Sequence, residues 1–329
     1  MMKVSELGEF GLIELLAKMV DAPQNEQLRI GIGDDASAWY GDTPLQLATV
    51  DSLIQDVHFS LGVTTWQELG WKALAVNLSD IAAMGGQPRY ALVSLALPGE
   101  TEVADVTDLY RGMIELAREF NVLIVGGDTC RSPVVVITVT VFGDAGDDRL
   151  LTRSAAGVGD KIAVTGCLGG AAAGLEMLTG RLRFDSETTA DLKKAFLRPQ
   201  PRVGEGQLLV RQGVRAAIDI SDGLVADLAQ VSKASRVSAR VDIDRLPVHP
   251  AVRGSFGDRA TGLALSGGED YELLFTASAG IIDAVKEAAS CPVTVIGEII
   301  AGKQGEVNLV DARGNRYQSP RSGWEHFTT

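Results

Sequence analysis

The sequence predicts an α/β (α+β) protein of two domains, and three observations carry that reading. Its 329 residues exceed one ordinary core. Hydrophobic residues at 46% and charged residues at 22% suit filled cores and ordered surfaces. Along the first half the apolar pattern runs strand, helix, strand, helix, strand, strand, which suits a layer of helices on a sheet.

Residues 6–20 place Phe10, Ile13, Leu16 and Ala17 on one helical face. Residues 45–50 read as a strand delivering Asp51 at its end. Residues 66–84 are apolar on most sides, through Leu69, Ala73, Val76, Leu78, Ile81 and Met84, so a buried helix is predicted. Asn77 and Asp80 share one face of it, and Gly85-Gly86 with Pro88 end it. Residues 90–97 form a strand, 102–120 a helix, 122–125 a short buried strand and 134–142 a long one. The polar, glycine-rich stretch 143–149 sets the boundary between domains 1–147 and 148–329.

The second domain restarts with a strand over Lys161–Thr165, then Gly166-Cys167-Leu168-Gly169-Gly170 and an alanine-rich helix. The amides of that glycine turn can hold an anion, or the turn is simply tight; both readings stand. Residues 216–220 form a strand, after which Ser221 or Asp222 can N-cap the next helix. Ser266-Gly267-Gly268-Glu269-Asp270 precedes a strand at 271–276. A helix at 280–289, a final strand at 293–296 and an aromatic tail with Trp324 complete the chain.

Acidic knots recur at the ends of apolar runs: Gly33-Asp34-Asp35, Thr49-Val50-Asp51, Asn77-Leu78-Ser79-Asp80, Gly126-Gly127-Asp128-Thr129 and Asp219-Ile220-Ser221-Asp222-Gly223. One Asp at a strand end is ordinarily a cap or turn residue. Several of them reverse that reading, because strand ends in an open α/β sheet converge and gathered carboxylates need cations. Hard divalent cations fit oxygen ligands, and Mg²⁺ commonly accompanies phosphate. Asp34 and Asp35 are neighbours, so one of them faces inward. Phosphoryl transfer explains such a set, since metal ions relieve the repulsion between an anionic donor and an anionic acceptor. No GxxxxGK[ST] and no protein-kinase signature is present.

Charge and composition exclude other classes. A net charge of -13 lacks the basic footprint of nonspecific nucleic-acid binding. No apolar run reaches a membrane span and the start lacks a signal-peptide pattern, so a soluble cytoplasmic protein is expected. Cys130, Cys167 and Cys291 are too scattered for a zinc site or disulfide framework, and read as reduced thiols. His58, seven residues after Asp51, is a candidate substrate contact; His249 and Arg202 read as structural by default.

These motifs, in this order, resemble the thiamine-monophosphate kinase family. The resemblance rests on Gly31-Ile32-Gly33-Asp34-Asp35-Ala36, Asp51 with His58, the run from Lys72 to Gly85, and Gly126-Gly127-Asp128-Thr129. It continues through Leu151-Thr152-Arg153-Ser154, Ile218-Asp219-Ile220-Ser221-Asp222-Gly223-Leu224 and Leu265-Ser266-Gly267-Gly268-Glu269-Asp270-Tyr271. The acidic knots alone also suit the wider superfamily of aminoimidazole ribonucleotide synthetase, selenide, water dikinase and a hydrogenase maturation protein. The first cysteine is Cys130, which departs from the reactive N-terminal residue typical of the selenide enzyme.

The resemblance implies ATP- and Mg²⁺-dependent transfer of the γ-phosphoryl group to the phosphate of thiamine monophosphate, directly and with several Mg²⁺. It implies a homodimer whose N-terminal mixed sheets pack into a shared barrel, beside a sandwich-like α/β C-terminal domain. By motif, Asp35, Asp51, Asp80, Asp128, Asp219 and Asp222 hold Mg²⁺, with Asp51, Asp80, Asp128 and Asp219 carrying catalysis. Thr49 and Val50 also fall at Mg²⁺ positions, although valine offers only its carbonyl. Gly127, Arg153, Ser221 and more weakly Tyr110 contact ATP; His58, Glu269 and Trp324 contact the thiamine end. An aromatic face and a carboxylate suit a thiazolium cation. The alternatives are another ATP-using superfamily enzyme and a non-enzymatic nucleotide- or metal-binding scaffold.

Overall fold

The computed structural model describes residues 2–7, 9–20, 28–30, 38–39, 41, 45–145, 149–319 and 323. Asp34, Asp35 and Trp324 lie outside them. The chain divides into two compact units, Met1–Ile81 with Gln87–Asp148, and Ala82–Gly86 with Arg149–Thr329.

The first unit contains α1 (Val4–Leu7), α2 (Glu9–Val20), β1 (Leu28–Ile30), β2 (Ala38–Trp39), β3 (Gln46–Ile54), α3 (Trp66–Ala83), β4 (Gln87–Leu97), α4 (Val103–Phe120), β5 (Leu123–Arg131) and β6 (Val136–Asp144). Its main sheet has the order β3-β6-β4-β5 and is mixed: β4 and β5 are parallel and the other pairs antiparallel. Alternation separates its faces, broken by register shifts near Pro88–Tyr90 and Ala91–Leu92 of β4. Leu47, Leu53, Val93, Leu95, Ile137, Val139 and Val141 are buried, whereas Val50 and Ser52 on the other face are exposed. In α2 the described buried residues are Leu12 and Leu16. Helix α3 buries Leu69, Ala73, Leu74, Leu78 and Ile81, as its nearly all-round apolar sequence requires.

Two strands here outrun their sequence signals. β3 continues to Ile54 because Ser52, Leu53 and Ile54 pair with Thr138, Ile137 and Val136 of β6, so Asp51 lies within the strand and not at its end. β5 continues to Arg131 because the outer half of β4 pairs with it, which also places Asp128 inside a strand.

The second unit holds β7 (Lys161–Thr165), α5 (Gly170–Gly180), α6 (Ser186–Leu197), α7 (Val203–Arg211), β8 (Ala216–Asp219), α8 (Leu224–Ala234), β9 (Ser238–Asp242), α9 (Pro250–Phe256), α10 (Ala260–Ser266), β10 (Leu273–Ala277), α11 (Ala279–Ala288), β11 (Val293–Ile300) and β12 (Val307–Val310). Its sheet runs β12-β9-β11-β7-β10-β8, antiparallel except where β12 joins β9. Ile162, Val164, Ile218, Ile296 and Leu309 of the sheet share a core with Leu224, Leu228, Val252 and Ala264 of the helices. A fully buried side chain of this kind contributes about 1.5–3 kcal/mol. β11 is therefore not the final strand: β12 follows and closes the edge of β9. Nor does Ser221 or Asp222 N-cap α8; Gly223 holds that position, with no side-chain cap.

Candidate functional site

In the first unit, Thr49 and Asp51 are two apart on β3 and so project to one face. The same place is reached by Asp80 from α3: Thr49 Oγ1 donates to Asp80 Oδ2 at 2.5 Å. Asp51 is pushed up to about 6, first by burial and then by the charge of Asp80 and a hydrogen bond with it. Two carboxylates this close cannot both ionise freely without a cation. Val50, between the two ligand-type residues, points to the other face and is 59% exposed. Only its backbone can therefore serve on the side of Asp51.

Asp128 falls elsewhere. The row through Asp51 crosses Val139 and Val93 and reaches Gly127, while Asp128 lies in the next row with Ser94, Thr138 and Ser52. Ser52 Oγ and Thr138 Oγ1 are 2.7 Å apart in that row. The structure thus joins Thr49, Asp51 and Asp80 and sets Asp128 one register step away. Among the described residues no three His, Cys, Asp or Glu side chains close on one point as a metal cluster.

His58 is held by the turn after β3, in which Asp56 takes φ +63°. Its backbone N–H donates to Ile54 O at 2.9 Å, and its Nδ1 accepts from Ile54 N–H at 3.1 Å. With Nδ1 an acceptor, the neutral ring carries its proton on Nε2. Tyr110 is buried on α4 beside Val106, Leu109 and Met113, with burial raising its hydroxyl pKa.

In the second unit, β8 ends at buried Asp219 and the next residues are stitched to 268–272. Ile220 N–H donates to Glu272 O at 2.8 Å, Tyr271 N–H to Ile220 O at 2.9 Å, and Glu269 N–H to Ser221 O at 2.8 Å. Asp227 is a participant that the sequence reading missed. It is 3% exposed, and its Oδ2 accepts from Gly223 N–H at 3.0 Å and Asp222 N–H at 3.2 Å. Burial, then the charges of Asp219 and Asp222, push Asp227 up to about 8. Its signal was present: an Asp one turn into α8 can fold back onto the amides that precede the helix.

The glycine turn before α5 is occupied by the protein itself. Asp270 accepts from Gly169 N–H at 2.7 Å and Ala171 N–H at 3.1 Å, so those amides already hold a carboxylate. Burial nonetheless pushes Asp270 up to about 7, against the pull of the two amides. On either side of it Glu269 and Tyr271 are left-handed, with φ +68° and +50°. Gly323 lies against the start of α8: a Cβ there would be 2.8 Å from Asp222 O and 2.6 Å from Ala226 Cβ. Arg153 is exposed, and its carbonyl accepts from Ser235 Oγ at 2.8 Å. Cys130, Cys167 and Cys291 are free. A cavity of 540 Å³ lined by Lys161, Arg240, Arg245, Glu298 and Val310, among others, shares no residue with these acidic loops. Among the described residues no helix is long and apolar enough to cross a membrane.

Two-domain AIR synthase related architecture is the class these units define. The N-terminal domain of AIR synthase related proteins matches residues 33–145, and the C-terminal domain matches residues 157–310. The chain is 38% identical to thiamine-monophosphate kinase of Escherichia coli O157:H7 over 98% of its own length and 99% of the relative's. It is 35% identical to that of Bacillus subtilis, over 98% and 100%. A crystal structure of thiamine-monophosphate kinase from Stenotrophomonas maltophilia superposes with a TM-score of 0.82 at 38% identity, covering 92% of this chain and 96% of that one. AaThiL complexed with AMPPCP and TMP superposes with a TM-score of 0.75 at 32% identity, covering 99% of both chains. The chain belongs to the thiamine-monophosphate kinase family and is an enzyme of that class, a phosphotransferase.

Proposed function

We propose that the protein transfers the γ-phosphoryl group of ATP directly and in line to the phosphate of thiamine monophosphate, forming thiamine diphosphate and ADP with several Mg²⁺. The observation that carries this reading is the AaThiL complex with AMPPCP and TMP, whose likeness spans 99% of both chains. A relative binding an ATP analogue and the acceptor together supports direct transfer.

The residues present suit Mg²⁺. Thr49, Asp51 and Asp80 offer hard oxygen donors at one place, and the raised Asp51 marks a carboxylate pair that a divalent cation relieves. Asp219 and Asp222, with Asp227 behind them, repeat that chemistry. Asp35 and Asp128 join the set by motif. Bound Mg²⁺ would neutralise charge on the transferring phosphoryl group and orient it. Gly127, Arg153, Ser221 and Tyr110 would contact ATP. His58, held by its Nδ1 and backbone bonds to Ile54, would contact the acceptor, and Glu269 with Trp324 would receive its thiazolium. The acceptor phosphate has a second pKa of about 6, so no strong general base is needed. That agrees with a site built from carboxylates and positioning.

A cytoplasmic homodimer completes the reading, with the open sheet face of the first unit, where Val50 is exposed, as the surface a partner would cover. The test is ADP formation by the purified protein with Mg-ATP and thiamine monophosphate, free thiamine or no acceptor. ADP with the monophosphate alone, matched by thiamine diphosphate, is expected. Silence with all three while ATP still binds would favour another superfamily substrate or a scaffold. A hydrogenase maturation protein HypE in complex with ATP, 22% identical with a TM-score of 0.74, shares the fold only.

A further inference from the structure

Glu272 stands where three segments of the second unit meet. Its carbonyl accepts from Ile220 N–H, the first residue past Asp219. Its carboxylate accepts from Thr165 Oγ1 and from both Arg202 Nε and Arg202 Nη2, each at 2.6 Å. Thr165 Oγ1 in turn accepts from Leu273 N–H at 2.8 Å. The Arg202 and Glu272 side chains are only 21% and 9% exposed. A two-pronged guanidinium–carboxylate pair sets direction as well as distance. Arg202 arrives from the N-cap of α7, a segment that contributes nothing to either acidic set.

This pair borders a strained loop. Left-handed backbone is unfavourable for residues with a Cβ, and it persists only where the surroundings over-determine it. Glu269 and Tyr271 both adopt it within three residues of Glu272. Hydrogen bonds to Ser221 and Ile220 hold the loop's backbone, and the Arg202–Glu272–Thr165 clamp fixes where it enters β10. We infer that Arg202 is a positioning residue: through Glu272 it holds Glu269-Asp270-Tyr271 in the course that presents Glu269 to the acceptor substrate, without touching substrate itself. The inference rests on the thiamine-monophosphate reading of Glu269.

The test compares wild type, Arg202→Lys, Glu269→Ala and the double variant by steady-state kinetics, varying each substrate, with a melting curve for each protein. Arg202→Lys keeps the charge and loses the fork. The presenting conformation is then populated in roughly a tenth of molecules, so KM for thiamine monophosphate rises roughly tenfold. KM for ATP stays within about twofold. The double variant shows a KM no higher than Glu269→Ala alone, because one residue acts through the other. A merely structural arginine would lower the melting temperature and leave that split and that non-additivity absent. An unchanged KM, an equal rise in KM for ATP, or additive effects would overturn the inference. If Arg202→Lys does not fold, Glu272→Gln is judged by the same criteria. A wild type that forms no ADP with thiamine monophosphate defeats the functional reading instead, which separates the two.

Discussion

Gly166→Ala isolates what the Glu272 pair contributes to stability. Gly166 has φ +55°, and a Cβ placed on it would lie 1.9 Å from Glu272 Oε1 and 2.3 Å from its carboxyl carbon. The methyl group and the carboxylate cannot both occupy that space, so the carboxylate must leave Arg202. Two effects add. Left-handed backbone at an alanine costs about 1–2 kcal/mol. Breaking a mostly enclosed ion pair while leaving its charges behind costs about 3–5 kcal/mol. A domain of this size shifts about 2–4 °C per kcal/mol, so a loss of about 4–7 kcal/mol should lower the melting temperature by about 8–28 °C. The control is Gly213→Ala: φ is +85°, with nothing within 4 Å of the added Cβ, so only the backbone effect applies. There the fall should be about 2–8 °C. Thermal unfolding followed by circular dichroism, with urea unfolding as a second measure, reads both. Equal losses at the two glycines would refute the reasoning, since they would show that the displaced ion pair carries no stability.

Three further outcomes are expected. Asp51→Asn should reduce turnover by roughly 10²–10³ while shifting unfolding little, because it removes a charge-handling group from an already repulsive pair; near-normal activity at saturating Mg²⁺ would exclude that role. His58→Ala should raise KM for thiamine monophosphate roughly tenfold with KM for ATP unchanged, as loss of one hydrogen bond to a charged group requires; equal effects on both substrates would place His58 elsewhere. The third concerns pH. Asp270 is held up at about 7 in the folded protein, so the stability contributed by its protonation is fully present below the ordinary value of 3.8 and is lost as pH rises through 7. Melting temperature should therefore decline between about pH 4 and 7, and Asp270→Asn should flatten that slope; parallel curves would assign the decline to other groups.

Much of this was legible because apolar periodicity survives burial. α3 begins at Trp66 and β7 spans Lys161–Thr165 as their patterns predict. Strand ends were less legible. Ser52 and Gly126–Arg131 carry little apolar signal, and they are strand because β6 and β4 supply partners across the sheet. The same long-range pairing moved Asp51 and Asp128 from strand ends into strands, and separated their rows by one register step. Helix α6, which the sequence reading leaves unassigned, opens with a polar run capped by Asp185, whose side chain accepts from Thr188 N–H. β12 is four residues long and stands at a sheet edge, where only β9 explains it. Asp227 and Asp270 were missed as participants because their partners are backbone amides, and a backbone amide has no letter in a sequence.

The strand order of the second sheet bears on how this unit can assemble. In β12-β9-β11-β7-β10-β8 no two neighbouring strands follow one another along the chain, and Thr165 meets Glu272 across 107 positions. No hairpin can therefore nucleate the sheet. β7 is made before β10 and β11, its lateral partners among the described residues, and waits for them with apolar Ile162, Ala163 and Val164 unprotected. Such late, non-local pairing makes folding slow and leaves the nascent chain open to aggregation. The closely interlocked loops around Asp219 and Glu272 can form only after β10 has been made, so this half of the molecule is completed in one late step and not strand by strand.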